Sequence, residues 1–136
     1  MTDREMVIGT WKMLRWTSLK NEQPDGYPMG EDALGQIIYS AEGYMEAFLM
    51  RADYHTNPST TDANANTCLA YGGTFRLDGD QVVHDVTFAT LPHWIGRPLV
   101  RNMTWQDGEL LLKTAPEFSK SGNRYEHQIL WRRVNA

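Results

Sequence analysis

The chain has 136 residues, of which 41% are hydrophobic and 22% charged, the composition of one globular domain spanning 1–136. A net charge of −4, with no basic run longer than Arg132-Arg133, argues against a nucleic-acid partner, because binding phosphates needs a concentrated Lys/Arg surface. No stretch approaches the roughly 18 apolar residues of a membrane span. The start Met1-Thr2-Asp3-Arg4-Glu5 lacks the apolar core of a signal peptide, and the single Cys68 can form no intramolecular disulfide. A cytoplasmic protein with no membrane partner, or a mature form whose leader is missing, is therefore expected.

Eight segments read as strands. The first, Gly9–Leu19, follows the charged start directly and opens on Gly9-Thr10-Trp11. Asn21–Leu34, rich in Gly, Pro and charge, reads as a long loop over one mouth. Gly35–Ser40 and Tyr44–Arg51 flank the turn Ala41-Glu42-Gly43. Ala52–Tyr71 is longer still, with a weakly helical Thr61–Ala70 that Thr61 or Asp62 could cap, and is expected to act as a lid. Gly72–Asp78 and Gln81–Ala89 surround Asp78-Gly79-Asp80, and Pro98–Gln106 and Glu109–Ala115 surround Asp107-Gly108. Tyr125–Val134 is the last strand. Turns carrying Gly where positive φ is wanted mark antiparallel hairpins.

Eight strands in meander order predict an all-β fold: an antiparallel up-and-down barrel with a central cavity and a short helix or lid, whose closure leaves no exposed sheet edge. Trp11 at the start and Trp131-Arg132-Arg133 at the end would seal its floor, a guanidinium stacking on the indole face.

Alternation assigns the inward side chains. Val82, His84, Val86 and Phe88 share one face of the fifth strand. Leu99, Arg101, Met103 and Trp105 share one face of the sixth, and Tyr125, His127, Ile129 and Trp131 one of the eighth. The fourth stays open between Phe75/Leu77 and Thr74/Arg76. Polar groups inside a barrel of this size cost about 1–3 kcal/mol each if unpaired, so His84, His127 and Arg101 need partners among themselves, among nearby tyrosines or in a ligand. In the loop Thr90–Arg97, Trp94 belongs at the rim, and Pro92 holds the chain so that His93 could reach the mouth.

The chain has no Gly-x-Ser-x-Gly elbow, phosphate loop, dinucleotide fingerprint, His-Glu-x-x-His or Cys pair. His55, His84, His93 and His127 are dispersed, so neither a metal nor a cofactor is expected. Proton transfer by a buried His beside Arg and Tyr remains, and suits isomerisation, dehydration or ring closure of a bound conjugated molecule.

Gly9-Thr10-Trp11, the Ile-Tyr-Ser-Ala-Glu-Gly-Tyr-Met core of Gly35–Met50, Leu69–Phe75, Val82–Val86 and Trp94-Ile95-Gly96 together resemble the lipocalin-like domain family of small calycin-type barrels in bacteria and fungi. The resemblance covers nearly the whole chain and implies an eight-stranded barrel with a cavity. Of the polar positions, His84 and Tyr71 match the family, whereas Arg101 and His127 rest on alternation.

The leading expectation is a cofactor-independent isomerase or cyclase acting on a small hydrophobic metabolite, polyketide- or terpenoid-like. His84 would be the acid/base, with Arg101 and Tyr71 stabilising negative charge. Tyr39, Tyr44, Phe75, Phe88, His93, Trp94, Met103, Trp105, Tyr125 and His127 would form the wall. The alternatives are a carrier of the same kind of ligand and a haem-binding barrel of the nitrobindin type. A homodimer stays open.

Overall fold

The structure, a computed structural model, describes residues 3–56 and 67–134. A five-residue helix, α1 (Asp3–Val7), precedes β1 (Gly9–Lys20) where the sequence reading had the chain entering the strand directly. There follow β2 (Gln23–Pro24), β3 (Leu34–Tyr39), β4 (Tyr44–Met50), β5 (Cys68–Asp78), β6 (Gln81–Ala89), β7 (Pro98–Gln106), β8 (Glu109–Thr114), β9 (Glu117–Phe118) and β10 (Arg124–Arg133). The strands pair antiparallel in the order β2-β1-β3-β4-β5-β6-β7-β8-β10-β9. The sheet closes because β1 also pairs with β10, from Trp11 opposite Arg133 to Lys20 opposite Tyr125. β2 and β9 are two-residue additions at the rim, so eight strands make the barrel.

The three tight turns lie at the floor. Gly43, Gly79 and Gly108 adopt the positive φ that such hairpins demand. The longer connections gather at the mouth. The loop after β1 folds back onto it, Ser18 donating its N–H to the Gly26 carbonyl (3.0 Å), and drops Met29 into the core.

The floor is built as the end motifs suggest. Trp11 is fully buried and donates its indole N–H to the Val7 carbonyl at 2.8 Å. The Arg133 guanidinium lies over its ring, 4.3 Å from the centroid, and donates to the carbonyls of Ile8 (2.6 Å) and Met6. A cation over an indole contributes about 0.5–2 kcal/mol. Gly9 makes room: its φ is +138°, and a Cβ there would stand 2.5 Å from Arg133 Nη1.

Two bulges set which side chains enter the barrel. In β1 the register against β10 slips between Met13 and Arg15, so the inward set changes from Trp11 and Met13 to Trp16 and Ser18. In β6, Val86 pairs with Gly73 and Phe88 with Gly72, leaving Thr87 unmatched. Phe88 therefore turns outward and is 52% exposed, correcting the alternation that placed it in the wall. Gly73 permits the close approach, because a Cβ there would lie 2.0 Å from the Asp85 carbonyl oxygen. In β5, Phe75 is buried and Thr74 and Arg76 are exposed, resolving the face left open.

Cys68–Ala70, expected to end a helix, belongs to β5 and pairs with Met50–Phe48. Ladder hydrogen bonds and burial of Leu69 outweigh weak local helical preference. The expected helix up to residue 66, with its caps Thr61 and Asp62, and half of the expected lid lie outside the described residues. Among the described residues no helix is long and apolar enough to cross a membrane.

Candidate functional site

A cavity of about 780 Å³ occupies the mouth half of the barrel, within the range of small-molecule sites. Its wall is mainly apolar, with Ile37, Leu49, Leu69, Leu112 and Ile129 contributed by five different strands. Into it project Tyr71 from β5, Arg101 from β7 and His127 from β10. The loop between β6 and β7 forms a short 3-10 turn, Pro92–Trp94, and adds His93, Trp94 and Arg97. The Trp94 ring meets the Tyr71 ring edge-on, centroids 5.4 Å apart.

Beneath Tyr71 lies a closed polar chain. His84 is wholly buried, its Nδ1 2.9 Å from the Tyr71 hydroxyl and its Nε2 2.6 Å from that of Tyr39. Burial, and then the charge of Arg101, lower the His84 pKa to about 3, so the ring is neutral and carries one proton. Hydrogen-bond accounting places that proton. Among the described residues the buried Tyr39 hydroxyl meets His84 alone, and because a buried O–H is costly to leave unmet, we assign its proton to the bond with Nε2. Nδ1–H then donates to the Tyr71 oxygen, and the Tyr71 proton is left for the cavity. Burial raises the Tyr39 pKa well above 10, with Tyr71 adding to the rise and Arg101 opposing it. Burial also raises that of Tyr71, against the charge and hydrogen bond of Arg101. Both phenols therefore stay protonated at neutral pH.

His127 is oriented from the other side. Trp16 donates its indole N–H to Nδ1 at 3.1 Å, and the Thr114 hydroxyl accepts from the His127 backbone N–H at 2.9 Å. An indole nitrogen only donates, so neutral His127 carries its proton on Nε2. Burial lowers the His127 pKa; Glu117 opposes this and Arg101 reinforces it.

With fold and cavity in place, comparison with known proteins identifies the lineage. The model of the family described as lipocalin-like domain matches residues 8–134. The chain belongs to that family. Among solved structures, one similar to it is a bovine odorant binding protein in complex with a selenium-containing odorant. The identity is 13% and the TM-score 0.49, over 100% of this chain and 75% of the other. The search of curated proteins returns no match.

Against the sequence reading, this lipocalin-like barrel brings Tyr71, Arg101, His93, Trp94 and His127 to one cavity. His84 and Tyr39 stand behind Tyr71 rather than in the wall, and Phe75 packs edge-on against Tyr39, centroids 4.9 Å apart. Four further residues expected in the wall are elsewhere. Met103 packs against the core, and Trp105 lies at the floor, its ring 5.9 Å from that of Trp11. Tyr125 is at the rim, paired with Lys20 and Glu117. Tyr44 points out of the barrel and is 61% exposed, because Met45, Ala47 and Leu49 take the inward face of β4.

The sequence reading missed Trp16, whose inward face depends on the β1 bulge, and the wall residues Arg97 and Glu117. Among the described residues no three His, Cys, Asp or Glu side chains converge as a metal site.

Proposed function

We propose that the cavity binds a small, largely apolar molecule, polyketide- or terpenoid-like, and isomerises or cyclises it by acid–base chemistry without a cofactor. The observation that carries this reading is the directed chain Tyr39–His84–Tyr71, ending at a cavity that Arg101 also faces. A substrate carbonyl oxygen accepts from Tyr71 O–H, and Arg101 stabilises the charge that grows there on enolisation, the kind of stabilisation that often dominates catalysis. The wall carboxylate of Glu117 is available to take a carbon-bound proton and return it to a neighbouring carbon. His84 thus acts through Tyr71 rather than on the substrate. Full proton transfer along the chain would leave a phenolate on buried Tyr39, so Tyr71 polarises the oxygen and keeps its proton.

That closed end also favours a second reading, a carrier in which the same groups anchor a ligand that leaves unchanged. Incubation with a metabolite extract of the source organism, followed by chromatography of the released small molecules, separates the two. An isomer or dehydrated product, formed faster than by Tyr71→Phe, supports catalysis. An unchanged ligand supports the carrier. Equal product formation by Tyr71→Phe refutes the role of Tyr71.

A further inference from the structure

The polar atoms offered to the cavity are nearly all donors. With the His84 proton assigned to Nδ1, the Tyr71 oxygen accepts from His84 and Tyr71 presents its O–H to the cavity that Arg101 also lines. His127 presents Nε2–H, because Trp16 holds Nδ1. The hydrogen-bond partner of Arg101 among the described residues is neutral: its Nη1 donates to the Val100 carbonyl at 3.2 Å. Its positive charge is felt at Tyr39, Tyr71, His84 and His127 alike, in each case favouring the less protonated form. Arg97 adds a second guanidinium to the wall, against the one carboxylate of Glu117 among the described lining residues. The chain as a whole carries −4, so the cavity reverses the sign of the molecule around it.

We propose that the ligand is an organic anion, an apolar body carrying two acceptor oxygens that share a negative charge, held by Tyr71, Arg101 and His127. A carboxylate and the enolate of a 1,3-dicarbonyl compound share this chemistry. The inference rests on the cavity being the ligand site, and it adds the charge of the ligand. Charge-assisted hydrogen bonds are shorter and about twice as strong as neutral ones, so the site should discriminate strongly between isosteres that differ only in charge.

The test is calorimetric titration of the purified protein at pH 7.5 with trans-cinnamate, with cinnamamide as its neutral isostere, and with 1-phenylbutane-1,3-dione. Cinnamate is expected to bind about tenfold more tightly than cinnamamide, a difference of about 1.4 kcal/mol. In Arg101→Met the cinnamate advantage should vanish, the two probes binding with equal affinity to that variant. If that variant fails to fold, Arg101→Lys should retain the advantage, and in the wild type the advantage should shrink as salt is raised.

The dione reports the other source. Tighter binding than cinnamate, with the red-shifted absorbance of the bound enolate, assigns the anion to a dicarbonyl; weaker binding assigns it to a carboxylate. Cinnamamide binding as tightly as cinnamate, or a preference that survives in Arg101→Met, overturns the anionic ligand and leaves the cavity reading standing. Failure of all three probes at millimolar concentration overturns the cavity reading and the inference with it.

Discussion

Acidification from pH 7.5 to pH 5 should cost the fold about 2 kcal/mol through His84 alone. The imidazole is held neutral between two tyrosines, with its pKa lowered to about 3 by burial and then by Arg101. In the unfolded chain the same group titrates near 6.5. Below that value the unfolded state binds a proton that the folded state refuses, so the stabilisation is complete above about pH 6.5 and is lost as pH falls. Between pH 6 and pH 5 the slope approaches one proton, about 1.4 kcal/mol per pH unit. His127, whose pKa is also lowered, acts in the same direction. The assay is urea unfolding at pH 7.5, 6.5, 5.5 and 5.0 for the wild type and for His84→Leu. The variant starts less stable, because two buried hydroxyls lose their partner, but its stability should fall by about 2 kcal/mol less over the range. Parallel pH profiles in the two proteins, or the His84 imidazole of the folded protein titrating near 6.5 by NMR, would refute the reasoning.

Arg133→Met should lower stability by about 2–4 kcal/mol in urea unfolding, since it removes a cation–π contact and two charge-assisted bonds to carbonyls. Phe75→Ala should cost about 3–5 kcal/mol, as buried aromatics do. Phe88→Ser should cost less than about 1 kcal/mol, because the β6 bulge leaves that ring on the outside. The pair tests the bulge directly: comparable losses would mean that Phe88 faces inward after all.

Strand content and closure were legible because turn chemistry and alternation are local signals. Asp107-Gly108 announces its hairpin in two residues, and Trp11 with the pair Arg132-Arg133 announces the seal, the structure choosing Arg133 as the stacking cation. What escaped depends on events that local pattern does not record. One unmatched residue, Thr87, reverses the face of Phe88, and the slip around Leu14 brings Trp16 inward. The Trp16–His127 bond joins residues 111 positions apart, so nothing near either predicts it. Alternation placed His84 inward correctly, but it could not show that Tyr39 and Tyr71 would occupy both ring nitrogens and shield it from the cavity.

The pairing of β1 with β10 has a consequence for how the molecule comes into being. The first barrel strand finds its second neighbour only after more than a hundred further residues have been synthesised, since Trp11 lies opposite Arg133. Until then one flank of β1 offers unpaired N–H and C=O groups, the template on which foreign strands assemble. Contacts so remote in sequence also slow folding. The nascent chain is therefore most vulnerable to aggregation just before its last strand arrives, and a chain shortened within β10 would keep that exposed flank for life.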